Sequence, residues 1–219
     1  MKIGVIGAGR IGGNCSAQAV KAGHEVMLSF ARDKSKLKAL ADALGERASV
    51  GSPREAAQFA DLMILSVPWD VIPEALEEVG ELTGKIVVDT TNQFGQGPMP
   101  AAGQTAASFN ASRMPGARYT KSFNTLTSAF QAEAAERDGD AKVVQWIAGD
   151  DEEAKRLVAG LIKDMGYVPV DLGEIESCEV MEAPRRPGSV YGEEYRAADA
   201  QAVVEAVARG QEIPPTPSY

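Results

Sequence analysis

Lys2-Ile3-Gly4-Val5-Ile6-Gly7-Ala8-Gly9-Arg10-Ile11-Gly12 decides the fold. Its first five residues form a short β-branched run that reads as a strand, expected at the centre of a sheet. The glycines follow at once, then a helical pattern from Cys15 to Ala22, then Gly23 and a second strand, His24-Glu25-Val26-Met27-Leu28. A GxGxxG run between a strand and a helix is the setting in which this pattern points to a dinucleotide pyrophosphate. Gly7 permits the tight turn, Gly9 lets the backbone approach the phosphates, and Gly12 lets the helix pack closely on the strand. The anion would rest on unpaired N–H groups at the helix N-terminus, where the aligned peptide dipoles favour negative charge. Arg10 and Ile11, inside the motif, complete the expected contacts. A glycine-rich turn with only a structural purpose is the bland alternative, and the flanking strands and helix weigh against it.

The second strand speaks to which dinucleotide is bound. NAD sites usually place an Asp or Glu about 20 residues beyond the glycines to accept from the ribose 2′-OH. Here the strand ends Leu28-Ser29-Phe30-Ala31-Arg32-Asp33-Lys34-Ser35-Lys36, with no carboxylate at its tip and three cations close behind. A 2′-phosphate needs donors and positive charge, and an Arg fork suits it better than a lone ammonium. The expected cofactor is therefore NADP(H), with Arg32 the main contact and Lys36 the second. Asp33 either pairs with Arg32 or caps the next helix.

With 219 residues the chain is long enough for one large α/β domain with an appendage. The expected division is a nucleotide-binding domain over 1–172 and a C-terminal extension over 173–219, comprising a helix and a Pro-rich tail packed on the domain or on a partner subunit. A net charge of −9 argues against nucleic-acid and anionic-membrane binding, so positive charge for an anionic cofactor must be concentrated locally. Cys15 and Cys178 offer neither metal spacing nor a disulfide framework, so no metal is expected and the compartment is expected to be the cytoplasm. No signal-peptide pattern or membrane-length apolar run is evident.

Further along, Asp61 to Val67 and Lys85 to Asp89 are nearly continuous apolar runs, as expected of parallel strands buried on both faces. Ligands of open α/β sheets bind beyond the C-terminal ends of such strands. Ser66, Val67, Pro68 and Trp69 at one tip and Asn92 at the next are therefore candidate cofactor contacts, Trp69 being equally readable as a packing residue. The strand Ala117 to Phe123 ends in Asn124-Thr125, a third polar tip, and the Gly/Pro-rich stretch 93–117 reads as a substrate-facing loop or an exposed crossover. Asp151 reads as a helix cap rather than a catalytic carboxylate. His24, the only histidine, falls at the opposite end of the sheet and reads as structural. Arg185-Arg186 suits either an anionic group or solvent.

Three tips converge on one crevice, and none of them carries a histidine. Oxidation of a plain alcohol calls for a general base, commonly His, Lys or Tyr. Its absence from the motifs points to hydride transfer between NADP(H) and a small-molecule cosubstrate that brings its own chemistry, a deazaflavin or flavin, with the protein supplying placement.

The sequence resembles the F420-dependent NADP oxidoreductase family, and its nucleotide domain is also similar to that of transmembrane metalloreductases. The likeness rests on Ile6 to Gly12, Arg32 with Lys36, Val67-Pro68-Trp69, Asp89-Thr90-Thr91-Asn92, Pro115 to Arg118 leading to Lys121-Ser122-Phe123-Asn124-Thr125, and Gly149-Asp150-Asp151 with Asp164-Met165-Gly166. It implies a Rossmann-type, doubly wound, mostly parallel sheet of about eight strands, a homodimer, and hydride exchange between NADP(H) and F420 without an obligatory protein acid or base. It also implies that Arg32 and Lys36 hold the 2′-phosphate, while Val67, Pro68 and Asn124 lie near the ring-stacking region as the hydride-transfer pocket. Two departures stand out. Ala31 takes a place where the family often has Ser, and the segment after Leu172 does not follow the apolar family C-terminus. The alternatives are an NADPH-dependent reductase of a small carbonyl, imine or metal chelate, and a non-catalytic NADP-binding module.

Overall fold

β1 (Lys2–Ile6) runs into α1 (Arg10–Lys21) and returns as β2 (Glu25–Ser29) in the computed structural model, which describes residues 1–219. α2 (Lys34–Leu44), β3 (Ala48–Val50), α3 (Pro53–Phe59) and β4 (Leu62–Leu65) continue the alternation. A 3₁₀ turn at Trp69–Val71 leads into α4 (Ile72–Val79), β5 (Ile86–Asp89), α5 (Ala106–Ser112) and β6 (Arg118–Lys121). Then come α6 (Ser128–Ala134), β7 (Val144–Ile147), α7 (Glu152–Asp164) and β8 (Val168–Asp171). A 3₁₀ stretch at Ile175–Met181 and α8 (Ala197–Ala208) close the chain.

Six strands pair in the order β3-β2-β1-β4-β5-β6, all parallel. This is the doubly wound order, in which the direction of winding reverses between β1 and β4 and opens a crevice there. The expected α/β, mostly parallel sheet of about eight strands is present, distributed as six plus two. β7 and β8 form their own parallel pair, joined to β6 through one antiparallel bridge in which Lys121 and Ala148 exchange backbone bonds of 2.8 and 3.1 Å. The chain therefore turns a corner after β6.

The two-residue period of the strands divides the core. Ile3, Val5, Leu62, Ile64, Ile86 and Val88 share one cluster with Cys15 and Ala19 of α1, Leu37 of α2 and Val158 of α7. Ile6, Met63, Leu65 and Val87 share the other with Ala56 of α3, Ile72 of α4, Ala106 of α5 and Val203 of α8. Successive side chains of a strand point to opposite faces, so the near-continuous apolar runs of β4 and β5 reflect helices on both sides. Local signals agree with this plan. Ser52 and Glu55 form a reciprocal capping box with Pro53 at the first turn of α3. Asp151 caps α7 through the Ala154 N–H and also takes a two-pronged bond from Arg118, whose hydrogen bonds hold its carboxyl well below the usual range.

The segment 173–219 packs against the body. Tyr195 accepts from the Val144 N–H at 2.8 Å, its ring meets Trp146 edge-on, and Val143 bridges Arg196. His24 lies beneath the chain start, between the Met1 amine and Asp164, and takes no part in the crevice.

Candidate functional site

The turn after β1 is built around steric exclusions. A Cβ on Gly12 would stand 2.1 Å from the Gly7 carbonyl oxygen, and one on Gly7, whose φ is +93°, would stand 2.4 Å from that of Ser66. These two glycines bring α1 hard against the tip of β4. Gly9 is the opposite case: a Cβ there would meet nothing within 4 Å. That open space is what a pyrophosphate needs, and α1 begins at Gly9 with no side-chain cap and no acidic residue in its first turn. The first N–H groups of a twelve-residue helix are thus left for an anion.

Two adjoining hollows flank this turn. One, of about 370 Å³, is lined by Gly7, Gly9, Arg32, Lys36, Ser66, Val67 and Pro68. The other, of about 610 Å³, shares Gly9, Arg32, Ser66, Val67 and Pro68 and adds Arg10, Ile11, Trp69, Asn92 and Asn124. Every residue expected from the sequence to contact the cofactor or the transfer pocket lines one hollow or both except Gly12, which acts through its packing on Gly7. A still larger hollow, about 680 Å³, lies against the C-terminal tail; Arg185 and Arg186 line it, and none of the expected cofactor contacts does.

At the first hollow the charges are disposed to receive an anion. Asp33 turns its carboxylate onto the Ser35 N–H and hydroxyl, at 3.0 and 2.6 Å, as the cap of α2. It does not pair with Arg32, so both Arg32 and Lys36 face this space without a carboxylate partner. Phe30, just before them, has φ of +57°, and Phe123 at the tip of β6 has φ of +59°. Such values are uncommon outside glycine, and both occur at strand ends that border a hollow. This donor set fits NADP(H): the glycine turn would receive the pyrophosphate, and Arg32 and Lys36 would be the cations available to a 2′-phosphate.

The floor of the second hollow is held by a polar lock. Asn92 Nδ2 donates to the Asn124 carbonyl at 2.9 Å, and Asn124 Nδ2 donates to Asn92 Oδ1 at 3.2 Å and to the Met181 carbonyl at 2.8 Å. The amide of Asn92 is thereby engaged within the protein. Asn124 Oδ1, on a side chain almost wholly buried, has no hydrogen-bond partner within the protein. Trp69 is packed as well as pocket-lining, for it is 1% exposed, donates to the Pro98 carbonyl at 2.9 Å and stacks with Phe109.

Beneath the β5 tip lies a dry charged cluster. Asp89 and Lys121 are both 0% exposed. Asp89 accepts from the Thr91 N–H, Asn110 Nδ2 and Tyr119 Oη at 2.7, 2.9 and 2.6 Å, while Lys121 donates to the Thr91 carbonyl at 2.9 Å and stands 3.5 Å from Asp89. Burial works against the Asp89 charge, but Lys121, Tyr119 and Asn110 outweigh it and hold the carboxyl below its ordinary range. The Tyr119 hydroxyl is pushed well up by burial and by Asp89. This network faces α5, not the crevice, and it fixes the backbone of Thr90-Thr91-Asn92.

Phe94, from the stretch expected to face the substrate, also lines the second hollow, and its ring stands 6.3 Å from that of Tyr191, which no motif in the sequence singles out. They are far apart in the chain, and neither belongs to a motif.

Residues 2–93 match the family model described as NADP oxidoreductase, coenzyme F420-dependent. The metalloreductase STEAP3 of Rattus norvegicus is 29% identical over 182 residues, 83% of this chain and 36% of the relative. The chain thus spans little more than a third of the length of the curated relatives it matches, and the likeness to them is the weaker of the two. Among solved structures, the hypothetical protein SMa0349 from Sinorhizobium meliloti is 28% identical with a TM-score of 0.79, covering 90% of this chain and 95% of that one. A putative F420-dependent NADP-reductase from Arthrobacter sp. FB24 is 24% identical, with a TM-score of 0.69 and coverages of 81% and 87%. An imine reductase from Myxococcus stipitatus in complex with NADP⁺ is 22% identical, with a TM-score of 0.61 and coverages of 81% and 56%. The chain is F420-dependent NADP oxidoreductase-like over its first 93 residues, and its fold is that of the NADP(H)-binding oxidoreductases. No helix is long and apolar enough to cross a membrane.

Proposed function

We propose that this F420-dependent NADP oxidoreductase-like chain is an NADPH-dependent reductase acting on a small carbonyl or imine compound. The observation that carries the reading is the joining of two hollows across one glycine turn, the first bearing Arg32 and Lys36 and the second open to solvent and lined, beyond Arg10 and Arg32, by uncharged residues. NADPH, when bound, supplies the hydride. The protein's part would be to hold the adenosine end by charge through Arg32 and Lys36, with Val67 and Pro68 at the β4 tip and Asn124 at the β6 tip beside the ring. Asn124, which lines the hollow and has an unpartnered side-chain oxygen, would be the polar group nearest the nicotinamide end. Imine reductases share the fold, and this supports the same reading.

A deazaflavin or flavin acceptor is the second reading, favoured by the family match over residues 2–93. NADPH oxidation by the purified protein separates the two when small ketones, aldehydes and cyclic imines are compared with F420 and FMN. Turnover of a carbonyl or imine without turnover of F420 or FMN is the expected result. The reverse pattern would establish the second reading, and tight NADPH binding with no turnover of either kind would make the chain a binding module.

A further inference from the structure

Reducing a C=O or C=N bond takes a proton as well as a hydride, and few groups on the crevice wall carry one to give. The lining side chains that ionise are Arg10, Arg32 and Tyr191. A guanidinium keeps its proton under all ordinary conditions, which removes the two arginines. Lys121 and Asp89 are sealed under the β5 tip at 0% exposure and do not reach the space. Thr90 donates its hydroxyl to the Leu65 carbonyl.

Tyr191 is held beside the second hollow by its neighbours. The Val190 N–H donates to the Val180 carbonyl at 2.8 Å and the Gly192 N–H to the Thr125 carbonyl at 2.7 Å, which pins the residue between them against the β6 tip. Gly192 has φ of +78°, so the chain turns back there without strain. The Tyr191 ring faces Phe94 from the β5 side, 6.3 Å away, and is half-buried. No protein group hydrogen-bonds to its hydroxyl, whose proton is retained more firmly than usual because of burial. The C-terminal segment thus contributes one phenol to the lining of the hollow that Gly9 and Arg10 also line.

We infer that Tyr191 is the proton donor of the reaction, so that residues 173–219 complete the active site. The inference rests on the carbonyl or imine reading above. In the step, the carbon of the C=O or C=N bond accepts the hydride and the π pair moves to oxygen or nitrogen. The Tyr191 hydroxyl gives that atom its proton, yielding alcohol or amine, and the phenolate regains a proton from solvent through the open mouth. An acceptor whose reduced anion is stabilised over a fused ring system has no need of the phenol, so Tyr191 distinguishes the two acceptor classes.

The test uses the full chain and Tyr191→Phe, which retains the ring against Phe94. Cyclohexanone and pyrroline, within a panel of small ketones, aldehydes and imines, serve as acceptors. Pyrrolidinone serves as an unreactive carbonyl probe, with binding measured by calorimetry on the NADP⁺-loaded protein. The variant is expected to keep wild-type NADPH affinity, to lose about 10²–10⁴-fold in kcat with KM little changed, and to bind pyrrolidinone about 3–10-fold more weakly. Unchanged kcat and unchanged pyrrolidinone affinity in a wild type that does turn over the panel would overturn the role of Tyr191 alone. A wild type that reduces F420 or FMN but nothing in the panel would overturn the acceptor reading, and the role of Tyr191 with it.

Discussion

Replacing Asp89 by Asn removes one charge from a site where two are buried at 0% exposure. The Lys121 ammonium is then left with the Thr91 carbonyl at 2.9 Å as its hydrogen-bond acceptor. Meanwhile Tyr119 Oη, Asn110 Nδ2 and the Thr91 N–H, all donors to Asp89, must share a single amide oxygen. Breaking a buried pair by removing one partner costs about 3–5 kcal/mol, a large share of the roughly 5–15 kcal/mol that holds a domain folded. Lys121→Met leaves the complementary charge buried and costs a similar amount. In the double variant neither charge remains, so its loss is expected to fall short of the sum of the single losses by more than about 1 kcal/mol. Urea unfolding followed by circular dichroism measures all four proteins, with the midpoint moving and the slope unchanged. The sign of the pH effect follows from the lowered Asp89 carboxyl. Its contribution is full above the unfolded carboxylate value of about 3.9 and is lost as pH falls through the lower folded value, so wild type and Asp89→Asn converge on acidification. Single losses below about 1 kcal/mol, the size of an ordinary exposed ion pair, or losses that simply add, would refute the idea that this pair secures the β5 tip.

The glycine turn gives a paired prediction. Gly9→Ala puts a methyl into space that is empty in the protein, so thermal stability is expected to hold while NADPH affinity falls. Gly12→Ala meets the Gly7 carbonyl at 2.1 Å, so melting temperature and affinity are expected to fall together, and thermal scans with calorimetry on both variants check the contrast. Glu182 accepts from the Ala106 and Ala107 N–H groups at 2.8 and 2.7 Å. Glu182→Ala leaves both unpaired under a buried cap, with an expected loss of about 1–3 kcal/mol in urea unfolding. The homodimer implied by the family likeness is checked by light scattering, where the mass of a single chain, 23.1 kDa, would contradict it.

Much of the fold is legible in the sequence because its signals are local. Gly7, Gly9 and Gly12 are read from three positions of one turn, Ser52-Pro53 announces α3 by its cap, and the apolar runs of β4 and β5 are the record of two-sided burial. The separation of β7 and β8 from the six-stranded sheet is less visible, because it depends on a single bridge between Lys121 and Ala148 and on no pattern within either strand. At the site, the residues next to strand tips are legible because topology sends all tips to one edge. Arg32 is legible too, while the turning of Asp33 toward Ser35 is a choice between two partners that spacing leaves open. Asn92 is recognisable as a tip residue, but not that its amide is committed to Asn124. Tyr191 is the clearest omission. Its position is set by the backbone bonds of its neighbours, Val190 to Val180 and Gly192 to Thr125, contacts across the chain that leave no periodic trace.

The central claim is that the cavity beside the glycine turn selects a 2′-phosphate through Arg32. Isothermal calorimetry of NADPH and NADH against wild type and Arg32→Ala tests it most directly. The wild type is expected to bind NADPH more tightly than NADH. The variant is expected to lose about 1.5–3 kcal/mol toward NADPH, the worth of a charge-assisted hydrogen bond, while NADH affinity stays where it was. Equal losses toward both cofactors, or a wild type that binds NADH as tightly as NADPH, would contradict it.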